Sequence, residues 1–225
     1  VEHLGGKVIF CDIKLDDYNI DVEKIEKLIT NKTKAILPVH LFGQPADMLK
    51  IKKIASKHNL IVIEDAACGF GSYIKNTHVG NFGETGCFSL HPRKTITTGE
   101  GGMISADDEE LISIARSLSW WGRDCYCVGR QNLLSCGVCG KRFSKWIEKY
   151  DDIVDHKYVY SQMGYNLKPM DFQGAIGSVQ MEKQDEIHQL RRKNKLLVQE
   201  HFEKIDGVRS VGELPEAETS WFGVP

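Results

Sequence analysis

The chain has 225 residues, with 29 basic and 31 acidic side chains, 41% hydrophobic residues and 27% charged residues. At roughly 100–200 residues per domain this is one large domain, or one and part of a second, with ample apolar material for a core. A formal charge of −2 without a long run of one sign gives no net attraction to a phosphate backbone or an anionic lipid surface, so neither nucleic acid nor membrane is an expected partner.

No stretch approaches the ~20 consecutive apolar residues of a membrane helix, and residues 1–14 lack a basic region followed by an apolar run. A cytoplasmic location is the expectation. The chain starts at Val1 instead of Met, with a strand expected already at 8–10, and stops inside the aromatic run SWFGVP (220–225). A fragment is therefore expected, with segments outside it completing any site. Asp21 can cap a helix over 22–29, in which Val22, Ile25, Leu28 and Ile29 recur at helical spacing. A strand is expected at 34–39. Gly43, Gln44 and Pro45 mark a turn, after which Ile51, Ile54 and Ala55 line a helix to about His58. The apolar run 60–63 suits a strand buried on both faces. This β-α-β-α-β alternation predicts an α/β fold with a mostly parallel sheet and right-handed crossovers.

Shorter strands are expected at 86–90 and 103–106, then a helix over 108–117. Residues 120–160, rich in Cys, aromatic and charged side chains, read as an irregular insert. Helical periodicity returns from 170 to about 204, as two helices or one kinked helix, and its charge cluster at 182–195 reads as a solvated face. The domain expectation is a large domain over 1–165, carrying the insert, followed by connecting helices and the start of a small domain over 166–225.

In a parallel α/β sheet ligands bind at the carboxyl edge of the strands, so the residues that follow strands come first. Glu64 and Asp65 follow one strand. His91 to Lys94 follow another, and TTGEGG (97–102) then turns sharply back. A carboxylate and an amine at one sheet edge are what a pyridoxal phosphate enzyme requires: a lysine to bind the aldehyde, and an acid to keep the pyridine nitrogen protonated. Acids after strands and lysines in turns are common, however, and taken alone the pair reads as capping and surface residues.

The strings PVHLFGQPAD (38–47), VIEDAA (62–67), FSLHPRK (88–94) with TGEGG (98–102), and GYNLKPMDFQ (164–173) together resemble the DegT/DnrJ/EryC1/StrS nucleotide-sugar aminotransferase family. The resemblance covers essentially the whole chain. It implies the large domain of the fold type I pyridoxal phosphate enzymes, a mostly parallel mixed sheet between helices, truncated here at both ends. It implies Lys94 as the lysine that binds the cofactor and moves the proton, Asp65 as partner of the pyridinium nitrogen, and Ser89 as a donor to the phosphate. Asn166 would reach the phosphate of a neighbouring subunit, which implies a homodimer. Where the family has Gln beside the cofactor ring, this chain has Cys68. The implied reaction transfers an amino group, from glutamate as donor, to a nucleotide-linked keto-sugar, in amino- or deoxysugar synthesis for surface polysaccharide.

A second resemblance lies in WGRDCYC (121–127), CGKRF (139–143), DHKY (155–158) and SWFG (220–223), which are similar to the CDP-sugar 3-dehydrase branch of the same superfamily. That branch works with pyridoxamine phosphate and a [2Fe–2S] cluster on four cysteines, and it carries His where this chain has Lys94. Its first cluster cysteine falls on Ala67. Lys94 favours the aminotransferase; the cysteines favour the dehydrase. A silent, metal-stabilised scaffold is the third reading, opposed by the Asp65 and Lys94 pair.

Seven cysteines without an export signal suggest metal or thiol chemistry before disulfides. Cys125, Cys127, Cys136 and Cys139 lie within fifteen residues, and two close pairs can present four thiolates to Zn²⁺ or an iron–sulfur cluster. Four reduced loop thiols without a ligand are the alternative. Cys11 and Cys87, inside expected strands, read as small apolar packing residues. His40 and His91 read as hydrogen-bonded structural histidines, Trp120 and Trp121 as packing or a sugar wall, and Arg93 and Arg123 as surface-paired or phosphate-facing.

Overall fold

The computed structural model describes residues 1–124, 135–136, 139–144 and 151–225. Two compact units make up the chain: Val1–Asp107 with Asp171–Pro225, and Asp108–Met170. Residues 171–225, expected to connect to a second domain, thus belong to the unit that carries the sheet.

The α-helices in chain order are α1 (Val22–Leu28), α2 (Met48–His58), α3 (Glu109–Ser119), α4 (Asp171–Glu182) and α5 (Gln184–Phe202). The strands are β1 (Ala35–Ile36), β2 (Ile61–Asp65), β3 (Tyr73–Ile74), β4 (Thr77–His78), β5 (Thr85–Ser89), β6 (Gly102–Ser105) and β7 (Ala217–Glu218). Aspartates start the first three helices by accepting orphan N–H groups. Asp21 Oδ1 accepts from Glu23 at 3.1 Å, Asp47 Oδ1 from Lys50 at 3.1 Å, and Asp108 Oδ1 from Glu110 at 2.8 Å. α2 ends on Asn59, whose φ of 53° is a left-handed conformation that Asn tolerates.

In the first unit a four-stranded sheet runs in the order β1-β2-β5-β6. β1, β2 and β5 are parallel, and β6 returns antiparallel to β5, so the sheet is mixed and mostly parallel. α1 and α2 cover one of its faces: Val22, Ile25, Met48, Ile51 and Ala55 pack with Ile36, Leu60 and Val62. A smaller antiparallel sheet, β4-β3-β7, draws the end of the chain onto the 73–78 hairpin.

The structure corrects three sequence expectations. Residues 8–10 form no strand; Phe10 is 89% exposed and the segment has no ladder partner among the described residues. The expected strand 34–39 is reduced to β1 plus an isolated bridge from Val39 to Asp65, because Pro38 has no N–H for the ladder and contributes only its carbonyl, which accepts from Asp65 N at 2.9 Å. β2 is not buried on both faces. Val62 and Glu64 point inward while Ile61 is 48% exposed, so the strand alternates.

That alternation is fixed by Glu64, which is fully buried. Its Oε2 lies 3.0 Å from His40 Nε2 and accepts from Gly80 N–H at 2.7 Å, while Oε1 accepts from the N–H groups of Phe82 and Gly83, each at 2.7 Å. His40 Nδ1 accepts from Ala46 N–H at 3.1 Å, which leaves the ring proton on Nε2, facing the carboxylate. Burial pushes Glu64 upward, but the bonds from His40, Gly83 and Gly80 outweigh it and hold the carboxyl below its ordinary value. The 80–83 loop can reach Glu64 only by lying close on the strands. A Cβ at Gly80, where φ is +86°, would sit 2.3 Å from Phe88 Cζ, and a Cβ at Gly86 would sit 2.4 Å from Gly80 Cα.

In the second unit α3 leads into the expected insert, whose described residues contain one short turn of 3₁₀ helix, His156–Tyr158. Arg142 Nε donates to Asp155 Oδ2 at 2.9 Å, and buried His156 places Nδ1 3.2 Å from the Arg142 carbonyl. The Arg123 guanidinium lies 5.0 Å from the ring centres of both Trp120 and Trp121, and 5.5 Å from that of Tyr160.

Two stability measurements check this account. Glu64→Gln removes the charge that four donors face and lowers unfolding free energy by about 3–5 kcal/mol in denaturant titration; a change below 1 kcal/mol contradicts it. Because the folded carboxyl titrates below its unfolded value, the stabilisation is complete above the unfolded Glu pKa and is lost as pH falls through the folded one, a loss absent in Glu64→Gln. Separately, Gly86→Ala costs about 1–3 kcal/mol by overpacking, whereas Gly174→Ala in α4, where a Cβ meets nothing within 4 Å, costs nothing.

Candidate active site

With Glu64 turned inward, its neighbour Asp65 must point to the opposite face at the carboxyl end of β2. β5 is aligned so that Asp65 pairs with Cys87. Register partners in parallel strands share a face, so Asp65 and Cys87 lie side by side, and Ser89, two residues on, occupies the same face at the strand end. Cys87 is exposed there and does not pack as the sequence suggested. Partial desolvation by neighbouring atoms and the Asp65 charge push its thiol above the ordinary value. Asp65 Oδ1 accepts from Ala67 N–H at 3.0 Å, and Ser89 Oγ accepts from His91 N–H at 3.4 Å.

Lys94 lies in the turn that leaves β5, closed by its own N–H to the His91 carbonyl at 2.9 Å. The loop is tied off by Leu90 N to the Gly101 carbonyl at 2.9 Å and by Thr97 Oγ1 to the Leu90 carbonyl at 3.0 Å. From there Lys94 is half-buried and reaches across to the loop after β2, where Nζ donates to Cys68 Sγ at 3.0 Å. Phe222 covers the amine from the other side, with its ring centre 4.8 Å from Nζ. Asp65, Cys68, Ser89 and Lys94 are thus gathered at the carboxyl ends of β2 and β5. Asn166 belongs to the other unit, where it bridges to Trp120.

The histidines separate cleanly. His40 is the structural partner of Glu64, and His91 holds its own turn by accepting from Arg93 N–H at 3.2 Å. Of the proposed metal ligands, Cys125 and Cys127 lie outside the described residues, Cys136 is exposed and Cys139 is half-buried. Among the described residues, no cluster of three or more His, Cys, Asp or Glu side chains is placed to hold a metal ion. No described helix is long and apolar enough to cross a membrane.

Sequence reading missed Phe222 and Arg191. Arg191 of α5 donates from Nη1 to the carbonyls of Trp221 at 3.0 Å and Phe222 at 3.3 Å, tying the chain end beside Lys94. No local pattern marks residues this far along the chain as belonging to the surroundings of Lys94. Alternation along VIED (62–65) was the available signal for Glu64.

The donor set fits pyridoxal phosphate: a lysine amine at a strand edge, a carboxylate on the same face, and a hydroxyl at the end of the adjoining strand. The model of the DegT/DnrJ/EryC1/StrS aminotransferase family matches residues 1–225. The lipopolysaccharide biosynthesis protein RfbH of Salmonella typhimurium is 38% identical over 222 residues, covering 96% of this chain and 49% of its own length. GDP-perosamine synthase of Escherichia coli O157:H7 is 36% identical over 214 residues, covering 92% of this chain and 51% of its own. Among solved structures, the E. coli GDP-4-keto-6-deoxy-D-mannose-3-dehydratase with bound hydrated PLP superposes with a TM-score of 0.78 at 32% identity, covering 96% of this chain and 52% of that one. The chain spans about half the length of the curated relatives it matches. Its fold is that of the fold type I pyridoxal phosphate enzymes, and the chain belongs to the DegT/DnrJ/EryC1/StrS aminotransferase family.

Proposed function

We propose that this protein is a pyridoxal phosphate-dependent aminotransferase that moves an amino group, from glutamate as donor, onto a nucleotide-linked keto-sugar in polysaccharide biosynthesis. The observation that carries the proposal is Lys94: a half-buried primary amine held 3.0 Å from Cys68 Sγ at the sheet edge where Asp65 and Ser89 also end. The relatives named for lipopolysaccharide biosynthesis and perosamine synthesis support the substrate class.

When bound, the cofactor supplies an electron sink for breaking and making a carbon–hydrogen bond at the amino-bearing carbon. Asp65 keeps a proton on the pyridine nitrogen, since an anionic carboxylate beside that nitrogen favours its charged form. Lys94 would hold the cofactor through its aldehyde group, and its amine would serve as the general base and acid for proton transfer during the exchange. Ser89 donates to the phosphate, and Cys68 borders the ring where relatives of the resembled family carry Gln. Asn166 is assigned to the phosphate of a partner subunit in a cytoplasmic homodimer.

The second reading is the pyridoxamine- and iron–sulfur-dependent 3-dehydrase, with Cys125, Cys127, Cys136 and Cys139 as metal ligands. The similarity to a 3-dehydratase crystallised with hydrated PLP supports the dehydration chemistry of that reading and does not bear on the cluster. The four thiols are candidates for Zn²⁺ or an iron–sulfur cluster, with four unliganded loop thiols as the alternative.

The test is to incubate the full chain with pyridoxal phosphate, reduce with borohydride and map the modified peptide. A pyridoxyl group on Lys94, absent from Lys94→Ala and formed alongside glutamate-driven conversion of the cofactor to its amine form, is expected. Label on another lysine, or iron–sulfur absorbance with no reducible cofactor band, contradicts it.

A further inference from the structure

The environment of Lys94 is built from three distant pieces of chain, and none of them is needed merely to close the sheet. Cys68 follows β2, Phe222 lies near the chain end, and residues 42–43 sit between them. Gly43, at φ +86°, has no room for a side chain: a Cβ there would meet the Cys68 carbonyl oxygen at 2.9 Å and Phe222 N at 3.0 Å. Phe222 N–H donates to the Phe42 carbonyl at 2.7 Å. Ser220 anchors the same segment from the other side, its N–H donating to Ser72 Oγ at 2.9 Å and its Oγ to the Phe70 carbonyl at 2.7 Å. Both Phe42 (φ 57°) and Trp221 (φ 46°) are held in the left-handed region, a strained backbone for aromatic residues that persists only where the surroundings dictate it. Arg191 closes the arrangement through the carbonyls of Trp221 and Phe222.

We propose that Cys68 and Phe222 form a holding site for the free amine of Lys94, with Arg191 as the residue that keeps Phe222 in place. The inference rests on the functional reading of Lys94 and adds to it where the lysine waits whenever it is not bonded to cofactor. A lysine that must leave and return has four rotatable bonds to control. A thiol 3.0 Å away gives it a polar partner, and an aromatic face attracts its ammonium form without forming a bond that must be broken by more than thermal motion. Both contacts are weak enough to surrender the amine to an aldehyde. An aspartate in place of Cys68 would pair with it more firmly and compete with the cofactor. Cys68, Phe222 and Arg191 are positioning residues in this scheme.

A thiol and an amine at this separation have a direct chemical readout. ortho-Phthalaldehyde condenses with one amine and one thiol: the amine nitrogen bonds to both former aldehyde carbons, the sulfur bonds to one of them, and the two carbonyl oxygens leave as two molecules of water, giving a fluorescent isoindole ring. The full chain, free of cofactor, is treated with one equivalent of the reagent, the fluorescence followed, and the adduct mapped by mass spectrometry. The adduct is expected to join the peptides carrying Cys68 and Lys94, to be blocked by prior addition of pyridoxal phosphate, and to be absent from Cys68→Ala and Lys94→Ala. Phe222→Leu and Arg191→Ala should each slow its formation about threefold, the size of effect one cation–π contact supports, while Phe222→Tyr, which keeps the ring, restores the rate. A purely structural role for Phe222 would move thermal stability without this selective rescue. No Cys68–Lys94 adduct, or equal rates in wild type and Phe222→Leu, overturns the holding site even if borohydride still fixes a pyridoxyl group on Lys94. A pyridoxyl group fixed on a different lysine overturns the functional reading, and the holding role with it.

Discussion

A single buried carboxylate sets the direction of everything at the sheet edge. Glu64 has no exposed surface and is surrounded by the His40 ring and three backbone N–H groups, so it cannot turn outward without leaving all four donors unpaired and its own charge uncompensated. In a strand the next residue must then face the other way. Asp65 is committed to the opposite side of β2, beside Cys87 and in line with Ser89 of β5. The orientation of Asp65 therefore depends on a neighbour buried in the core.

From that constraint the site assembles in layers. The parallel register of β2 and β5 brings two strand ends together, and the antiparallel return of β6 forces the 90–101 loop back on itself, which carries Lys94 toward the loop after β2. Residues 217–222 pair with β3 through β7 and bond Ser72 through Ser220, and Phe222 then comes to lie beside Lys94. Long-range pieces meet at one amine because two glycine-dependent approaches permit it, Gly86 against Gly80 and Gly43 between Cys68 and Phe222.

Much of this was legible from sequence, and the unread part has a physical cause. Helical spacing, with the Asp21 cap, located α1 and α3 to within two residues and the end of α2 at His58, because these signals are local. Strand limits were less legible. An apolar run such as 60–63 does not tell how many faces will be covered, and Ile61 proved half exposed. Pro38 was the visible sign that the preceding strand would fail early. The strings around Asp65 and Lys94 named residues that the fold brings to one sheet edge, yet Phe222 and Arg191 could not be read there, since their contacts depend on how 219–223 folds back. The small sheet β4-β3-β7 escaped for the same reason: two-residue strands carry no periodicity.

The proposed role of Asp65 requires that it face the cofactor while Glu64 faces the core, and the most direct test is the protonation of the cofactor's pyridine nitrogen in the full chain. Nuclear magnetic resonance of ¹⁵N-labelled pyridoxal phosphate bound to the wild type should report a protonated ring nitrogen, and bound to Asp65→Asn a neutral one. The same nitrogen chemical shift in both proteins would show that Asp65 does not reach the ring, and would contradict the orientation from which the rest is derived.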